Sequence, residues 1–194
     1  MSQGRTTMIK KTLPGLLAFA PGLAFAHTGH ETQGIISGLL HPLLGWDHLL
    51  AMVAVGMLAV AGRERPVWQL PVLFVGFMLA GAWLGIGGVG IAGVETGIQL
   101  SLVVLGLMLA VGVGGFSAAT MMCCALFGLL HGNAHGLELP AFRQVTGYVT
   151  GFMVATVALH GIGWLAAAKW HATLVRVTGA AMAGAGMLAA ISAM

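Results

Sequence analysis

The sequence predicts an all-α membrane protein, a bundle of six transmembrane helices behind an N-terminal signal peptide. Three observations carry this. Of 194 residues, 58% are hydrophobic and only 7% are charged, whereas a soluble domain carries roughly 25% charged residues. The apolar residues gather in runs that reach the ~20 residues needed to cross ~30 Å of hydrocarbon. The 31 glycines are scattered through those runs, as in membrane bundles where small residues let helices approach closely.

Residues 1–26 read as the signal peptide. Arg5, Lys10 and Lys11 form a positive start, 13–25 is a short apolar stretch, and Ala24-Phe25-Ala26 fits the small-x-small cleavage pattern. Pro14, Pro21 and the shortness of the stretch argue against an uncleaved first helix. Cleavage would make His27 the mature N-terminus, on the outer face of the membrane. Residues 27–194 then form one membrane domain, with spans at 35–61, 67–87, 94–113, 117–138, 142–168 and 172–192. The separators are Gly62-Arg63-Glu64-Arg65-Pro66, the glycine-rich 87–93, Gly112-Val113-Gly114-Gly115, Leu139-Pro140 and Lys169-Trp170-His171. No soluble domain fits between them. With His27 outside, Arg63, Arg65 and Lys169 fall inside, Arg176 lies near that end of the last helix, and only Arg143 falls outside. That is the asymmetry of the positive-inside rule, so both mature termini are expected to be external.

Charge excludes other classes. Eight basic residues dispersed over the chain, with a net charge of +3, make no nucleic-acid patch. Cys123 and Cys124 are adjacent in an apolar run and do not suggest a structural disulfide. No G-x₄-G-K-[ST] nucleotide loop is present.

The chemistry begins at His41-Pro42-Leu43-Leu44-Gly45-Trp46-Asp47-His48, inside the first span. Ionisable groups at that depth are expensive and usually face a bundle interior or a water-filled path. Imidazole with carboxylate is a ligand set for Ni²⁺, Co²⁺, Cu²⁺ or Zn²⁺. On a straight helix His41 and His48 lie near one face, roughly 10 Å apart along the axis. At ~2 Å nitrogen–metal distances they would be successive positions on a path, not one chelate, unless the helix is broken. Pro42 removes a backbone hydrogen bond and crowds the carbonyl of Gly38, and Gly45 follows. Broken helices often mark transport sites. Asp47 is placed to ligate directly or to hold an imidazole in its tautomer. A buried, mutually satisfied His–Asp pair that only locks two helices is the bland alternative.

A second constellation, Leu130-His131-Gly132-Asn133-Ala134-His135-Gly136-Leu137-Glu138, lies in the fourth span. His131, His135 and Glu138 sit at i, i+4 and i+7, on one helical face. The spacing is that of the two histidines in H-E-x-x-H, but Gly132 stands where that motif has its general base. At 1.5 Å per residue the order from outside inward is His27 and His30, then His135 and Glu138, then His41 and His131, then Asp47 and His48. That is a ladder of ligands for a descending ion. His160 could be an exit ligand or a packed histidine. His171 is expected at the interface. Glu95 and Gln99 could line an outer vestibule or be solvated. Cys124 reads as a small buried apolar residue, and the twelve methionines, without Met-x-x-Met spacing, as packing.

His41-Pro42-x-x-Gly45-x-Asp47-His48 resembles the H-P-x-x-G-x-D-H signature of the HupE/UreJ nickel permeases. His131-Gly132-x-Ala134-His135-Gly136-x-Glu138 resembles their second signature, F-H-G-x-A-H-G-x-E, with Leu130 in place of the leading Phe. The resemblance covers essentially the whole chain. It implies a bacterial inner-membrane protein that brings Ni²⁺, and in some members Co²⁺, into the cytoplasm for urease or hydrogenase and their maturation proteins. A looser likeness to the larger nickel–cobalt transporters with an H-x₄-D-H helix is by analogy only, because five residues separate His41 from Asp47.

The expected function is therefore secondary import of Ni²⁺ or Co²⁺ as transported substrate, with no tightly bound cofactor and no enzymatic activity. His27 and His30 capture the ion, His131, His135 and Glu138 form an outer site, and His41, Asp47 and His48 an inner one. Two other classes are a membrane haem protein with His41 or His48 and His131 as axial ligands, and an intramembrane metallohydrolase that lacks a clear general base.

Overall fold

The computed structural model describes residues 34–60, 66–115, 117–139 and 145–192, and among them every regular element is helical. The helices are α1 (Ile35–Leu44), α2 (Trp46–Val60), α3 (Gln69–Ile86), α4 (Val94–Val111), α5 (Ala118–Leu137), α6 (Val145–Lys169) and α7 (Ala172–Ser192). The expected signal peptide, His27, His30 and the arginines at 63, 65 and 143 lie outside the described residues.

The expected first span is two helices, not one. Pro42 sits inside α1 and cannot donate to the turn before it. Gly45 then leaves the helical region, with φ −85° and ψ 99°. The chain turns by 86° between α1 and α2. The other starts and stops follow local chemistry. Ser117 caps α5 by accepting from the Thr120 N–H at 3.2 Å. Both α3 and α4 end on a left-handed glycine. At Gly88 (φ 79°) and Gly112 (φ 76°) the next residue's N–H reaches back five positions, Val89 to Leu84 and Val113 to Met108. Only glycine adopts that turn without strain.

Glycine also decides which helices pair. Along α5, Gly128, Gly132 and Gly136 lie against the backbone of Phe74, Met78 and Ala82, and Gly81 and Gly85 of α3 lie reciprocally against α5. The two helices run parallel, their backbones in contact. Gly38 and Gly151 seat α1 on the first half of α6; Gly56 and Gly163 seat α2 on its second half near His160. Gly106, Gly179 and Gly186 bring α4 and α7 together antiparallel. Small residues at helix contacts are how a membrane bundle gains dispersion contact without a hydrophobic driving force between helices.

α2 is the central element. Ala51, Met52 and 54–59 are buried, with Met52, Met57 and Leu58 among the largest fully buried side chains. The outside of the bundle is equally apolar. Trp83 is 78% exposed, Leu44 75% and Met122 72%, a surface that suits lipid and not water. Among the described residues four helices, α3, α4, α6 and α7, are long and apolar enough to cross a membrane, and the bent α1–α2 pair makes a fifth where the two are counted as one broken span. The chain is a multi-pass membrane protein. α5, with 20 residues, carries His131, Asn133 and His135, yet those side chains are buried.

Candidate metal site

The bend at Gly45 brings His41, at the end of α1, and His48, at the start of α2, to the same two turns of α5. The His41 ring lies 4.7 Å from that of His135, centroid to centroid, and the His48 ring lies 4.8 Å from His135 and 5.0 Å from His131. Four imidazoles from three helices therefore meet in one cluster. The sequence expectation of two rungs roughly 10 Å apart rested on a straight helix, and the 86° turn removes it. The grouping changes as well. His41 joins His135 and Glu138, and His48 joins His131.

In the first group, His41 Nε2 lies 2.9 Å from His135 Nδ1 and 3.2 Å from Glu138 Oε2. One ligand atom from each of the three residues falls within 4.8 Å of the others, a spacing that can hold a metal ion. Glu138 is the C-cap of α5 and is exposed, so this group opens toward one end of the bundle.

The second group is deeper and prepared at the level of tautomers. His131 donates from Nδ1 to the Phe127 carbonyl, one turn back, at 2.7 Å. His48 Nδ1 lies 2.9 Å from Asp47 Oδ1, which also accepts from the His48 backbone N–H. In both rings the proton on Nδ1 leaves a lone pair on Nε2, the atom a metal would take. A carboxylate or carbonyl behind an imidazole fixes its orientation and raises its basicity. The Nε2 atoms of His48, His131 and His135 are all buried without a hydrogen-bond partner among the described residues. An unsatisfied buried polar atom costs about 1–3 kcal/mol. Three in one cluster mark a place built for a ligand that accepts nitrogen lone pairs. Gly45 has no side chain for a reason of space, since a Cβ there would stand 2.9 Å from His48 Nδ1.

Aromatic rings wall the cluster. Phe152 lies 4.5 Å from His135, Tyr148 5.7 Å from His41 and Phe74 5.5 Å from His131. Sequence reasoning did not single these out, because isolated aromatics in an apolar helix carry no spacing signal. It also passed over Asn133, which is fully buried between the two α5 histidines. Asn133 accepts from the Ile91 N–H at 2.8 Å and donates to the Val89 carbonyl at 2.8 Å, tying the 87–93 turn to α5. Its signal was present: an amide inside an apolar helix must find partners. Of the remaining candidates, Glu95 is exposed in the first turn of α4. Cys124 is buried in the apolar core. His171 is exposed, and its Nδ1 accepts from the Thr173 N–H at 3.4 Å, at the start of α7.

A family model described as HupE / UreJ protein matches residues 15–189. The chain belongs to the HupE/UreJ family. Protein HupE of Rhizobium leguminosarum bv. viciae is 43% identical over 173 residues, covering 86% of this chain and 89% of its own. No solved structure matches. Membership of the HupE/UreJ family places the chain among membrane permeases and not among enzymes. The two segments that carried the resemblance are the corner between α1 and α2 and the C-terminal half of α5, the elements that build the histidine cluster.

Proposed function

We propose that this HupE/UreJ chain is an inner-membrane secondary permease that imports Ni²⁺, with Co²⁺ a second cargo for the same ligands. The observation that carries the reading is the meeting of three unpartnered Nε2 atoms beside two carboxylates in the interior of a membrane bundle. Nitrogen-rich ligands with a carboxylate suit the later first-row divalent ions. In this reading α5 also crosses the membrane, as the fourth of six spans with its polar side turned inward, and the mature N-terminus is periplasmic after cleavage behind Ala26. His27 and His30 then deliver the ion to His41, His135 and Glu138.

His135 belongs to both groups, which suggests how an ion advances. An ion held by Glu138, His41 and His135 Nδ1 can pass to the Nε2 atoms of His48 and His131, with the proton of the His135 ring moving to Nδ1 as that ring comes to offer its Nε2. Stepwise exchange avoids a bare divalent charge in a low-dielectric interior, where its cost is prohibitive. Asp47 supports the step from behind, by orienting His48 and balancing charge. The receiving proteins on the cytoplasmic side are urease or hydrogenase maturation factors. The imidazoles are in edge contact, which leaves no gap for the macrocycle that the haem reading requires.

The test is uptake of radioactive nickel into proteoliposomes of the purified chain, competed with Co²⁺ and Zn²⁺. Saturable uptake that excess Co²⁺ suppresses is the expected result. Liposomes that accumulate no more nickel than protein-free controls would refute the reading.

A further inference from the structure

His160, on α6, repeats the arrangement of His131 at a distance from the cluster. His160 Nδ1 donates to the Thr156 carbonyl, one turn back, at 2.8 Å, as His131 does to Phe127 at 2.7 Å. The backbone bond again fixes the tautomer and leaves the lone pair on Nε2. That atom is buried and has no partner among the described residues, on a side chain only 4% exposed. One turn away, the hydroxyl of Thr156 is also buried without a partner, on a residue that is 0% exposed. A histidine retained for packing alone has no need of a bare buried nitrogen, and the residue one turn before it on α6 has a bare buried hydroxyl as well.

Its position lies further along the path. Gly56 of α2 packs on the His160 backbone, and it is eight residues beyond His48 on the same helix, roughly 12 Å at 1.5 Å per residue. The ring of Phe74 connects the two levels. It meets His131 and His160 edge-on, each at a centroid distance of 5.5 Å. Along α2 the His48–His131 pair comes first and the level of His160 follows, with the Phe74 ring touching both.

We infer that His160 Nε2 and the Thr156 hydroxyl form a second, weaker cation station, beside Phe74, from which a divalent transition-metal ion leaves the bundle. The inference rests on the permease reading above. One nitrogen ligand and one neutral hydroxyl, with water completing the shell, hold such an ion less firmly than three imidazoles, one of them backed by the Asp47 carboxylate. That is what a release position requires, because conduction needs sites weak enough to leave.

The experiment uses the full chain in detergent with Co²⁺ alone as the probe, in the parent, His160→Ala and His160→Cys. Equilibrium dialysis is expected to show His160→Ala losing the weaker class of bound Co²⁺ and keeping the tighter one. In His160→Cys, a thiolate-to-cobalt charge-transfer band should appear in the near ultraviolet when the parent spectrum, which already contains Cys123 and Cys124, is subtracted. Nickel uptake by His160→Ala should show a maximal rate lowered about tenfold, the scale of losing one supporting group at a metal site, with half-saturation unchanged. A parent isotherm that superimposes on His160→Ala, together with no new band in His160→Cys, overturns the station and leaves the permease reading standing. A parent chain that binds no Co²⁺ overturns both.

Discussion

At the scale of single residues, the site is set by which nitrogen of each ring is already occupied. His131 and His48 have Nδ1 engaged by Phe127 and Asp47, so only Nε2 is available, and in both it is buried and unpartnered among the described residues. Alanine at either position should therefore abolish nickel uptake, by at least about a hundredfold on the scale of direct and supporting ligand losses. Membrane levels of both variants should stay near normal, since a smaller apolar group replaces the ring; an uptake assay beside an immunoblot checks both halves. Asp47→Asn should be milder. The amide oxygen still accepts from Nδ1 but no longer supplies charge, so uptake should fall by about 10- to 100-fold with the fold intact. All six of the described candidate ligands were legible in the sequence, because His, Asp and Glu stand out in an apolar run. Their partners were not. The Phe127 carbonyl is a backbone group, and Asn133 bears no charge, so neither gave a signal in a search for titratable side chains.

At the scale of elements, glycine controls two different things. In the α3–α5 contact it sets distance. A Cβ at Gly132 would fall on the Met78 carbonyl oxygen, so Gly132→Leu should force α3 away from α5 and remove the backbone contact that fixes both histidines. The expected outcome is loss of folded protein, seen as aggregation in size-exclusion chromatography. Gly76→Leu, where nothing lies within 4 Å, should elute as the parent does. At the α1–α2 corner glycine instead leaves room for a ring. Gly45 has an ordinary extended conformation that alanine can adopt, so Gly45→Ala should fold normally. Its methyl would stand 2.9 Å from His48 Nδ1, push the ring off Asp47 and lower uptake about tenfold. Normal uptake by Gly45→Ala would show that the Asp47–His48 pair does not depend on this clearance. The segment bounds read from hydrophobic runs agree with the helices to within three residues at their described ends, apart from the break. The break itself was foreshadowed by Pro42 and Gly45. Its angle was not, because a sequence shows where a backbone bond is lost but not how neighbours hold the two halves. The regrouping of His41 with His135 and Glu138 follows from that angle alone.

At the scale of the whole molecule, the remaining question is what moves the ion in one direction. No nucleotide-binding loop of the G-x₄-G-K-[ST] type occurs in the sequence, so under the permease reading the driving force is electrical, chemical or supplied by a partner. Under that reading the path is lined by imidazoles, with Asp47 and Glu138 as its carboxylates, and the transported charge is two. An inside-negative potential favours inward movement of a divalent cation by about 4.6 kcal/mol per 100 mV, twice the single-charge value of ~2.3. At ~1.4 kcal/mol per tenfold change in an equilibrium constant, that corresponds to an accumulation ratio on the order of 10³. Proteoliposomes loaded with potassium and given valinomycin provide the potential without any other ion gradient. Nickel should then accumulate against its own gradient, reach a higher plateau at −100 mV than at zero potential, and leak out when the potential is collapsed. A plateau indifferent to the potential, in liposomes that still equilibrate nickel, would show that another ion crosses with it and cancels its charge.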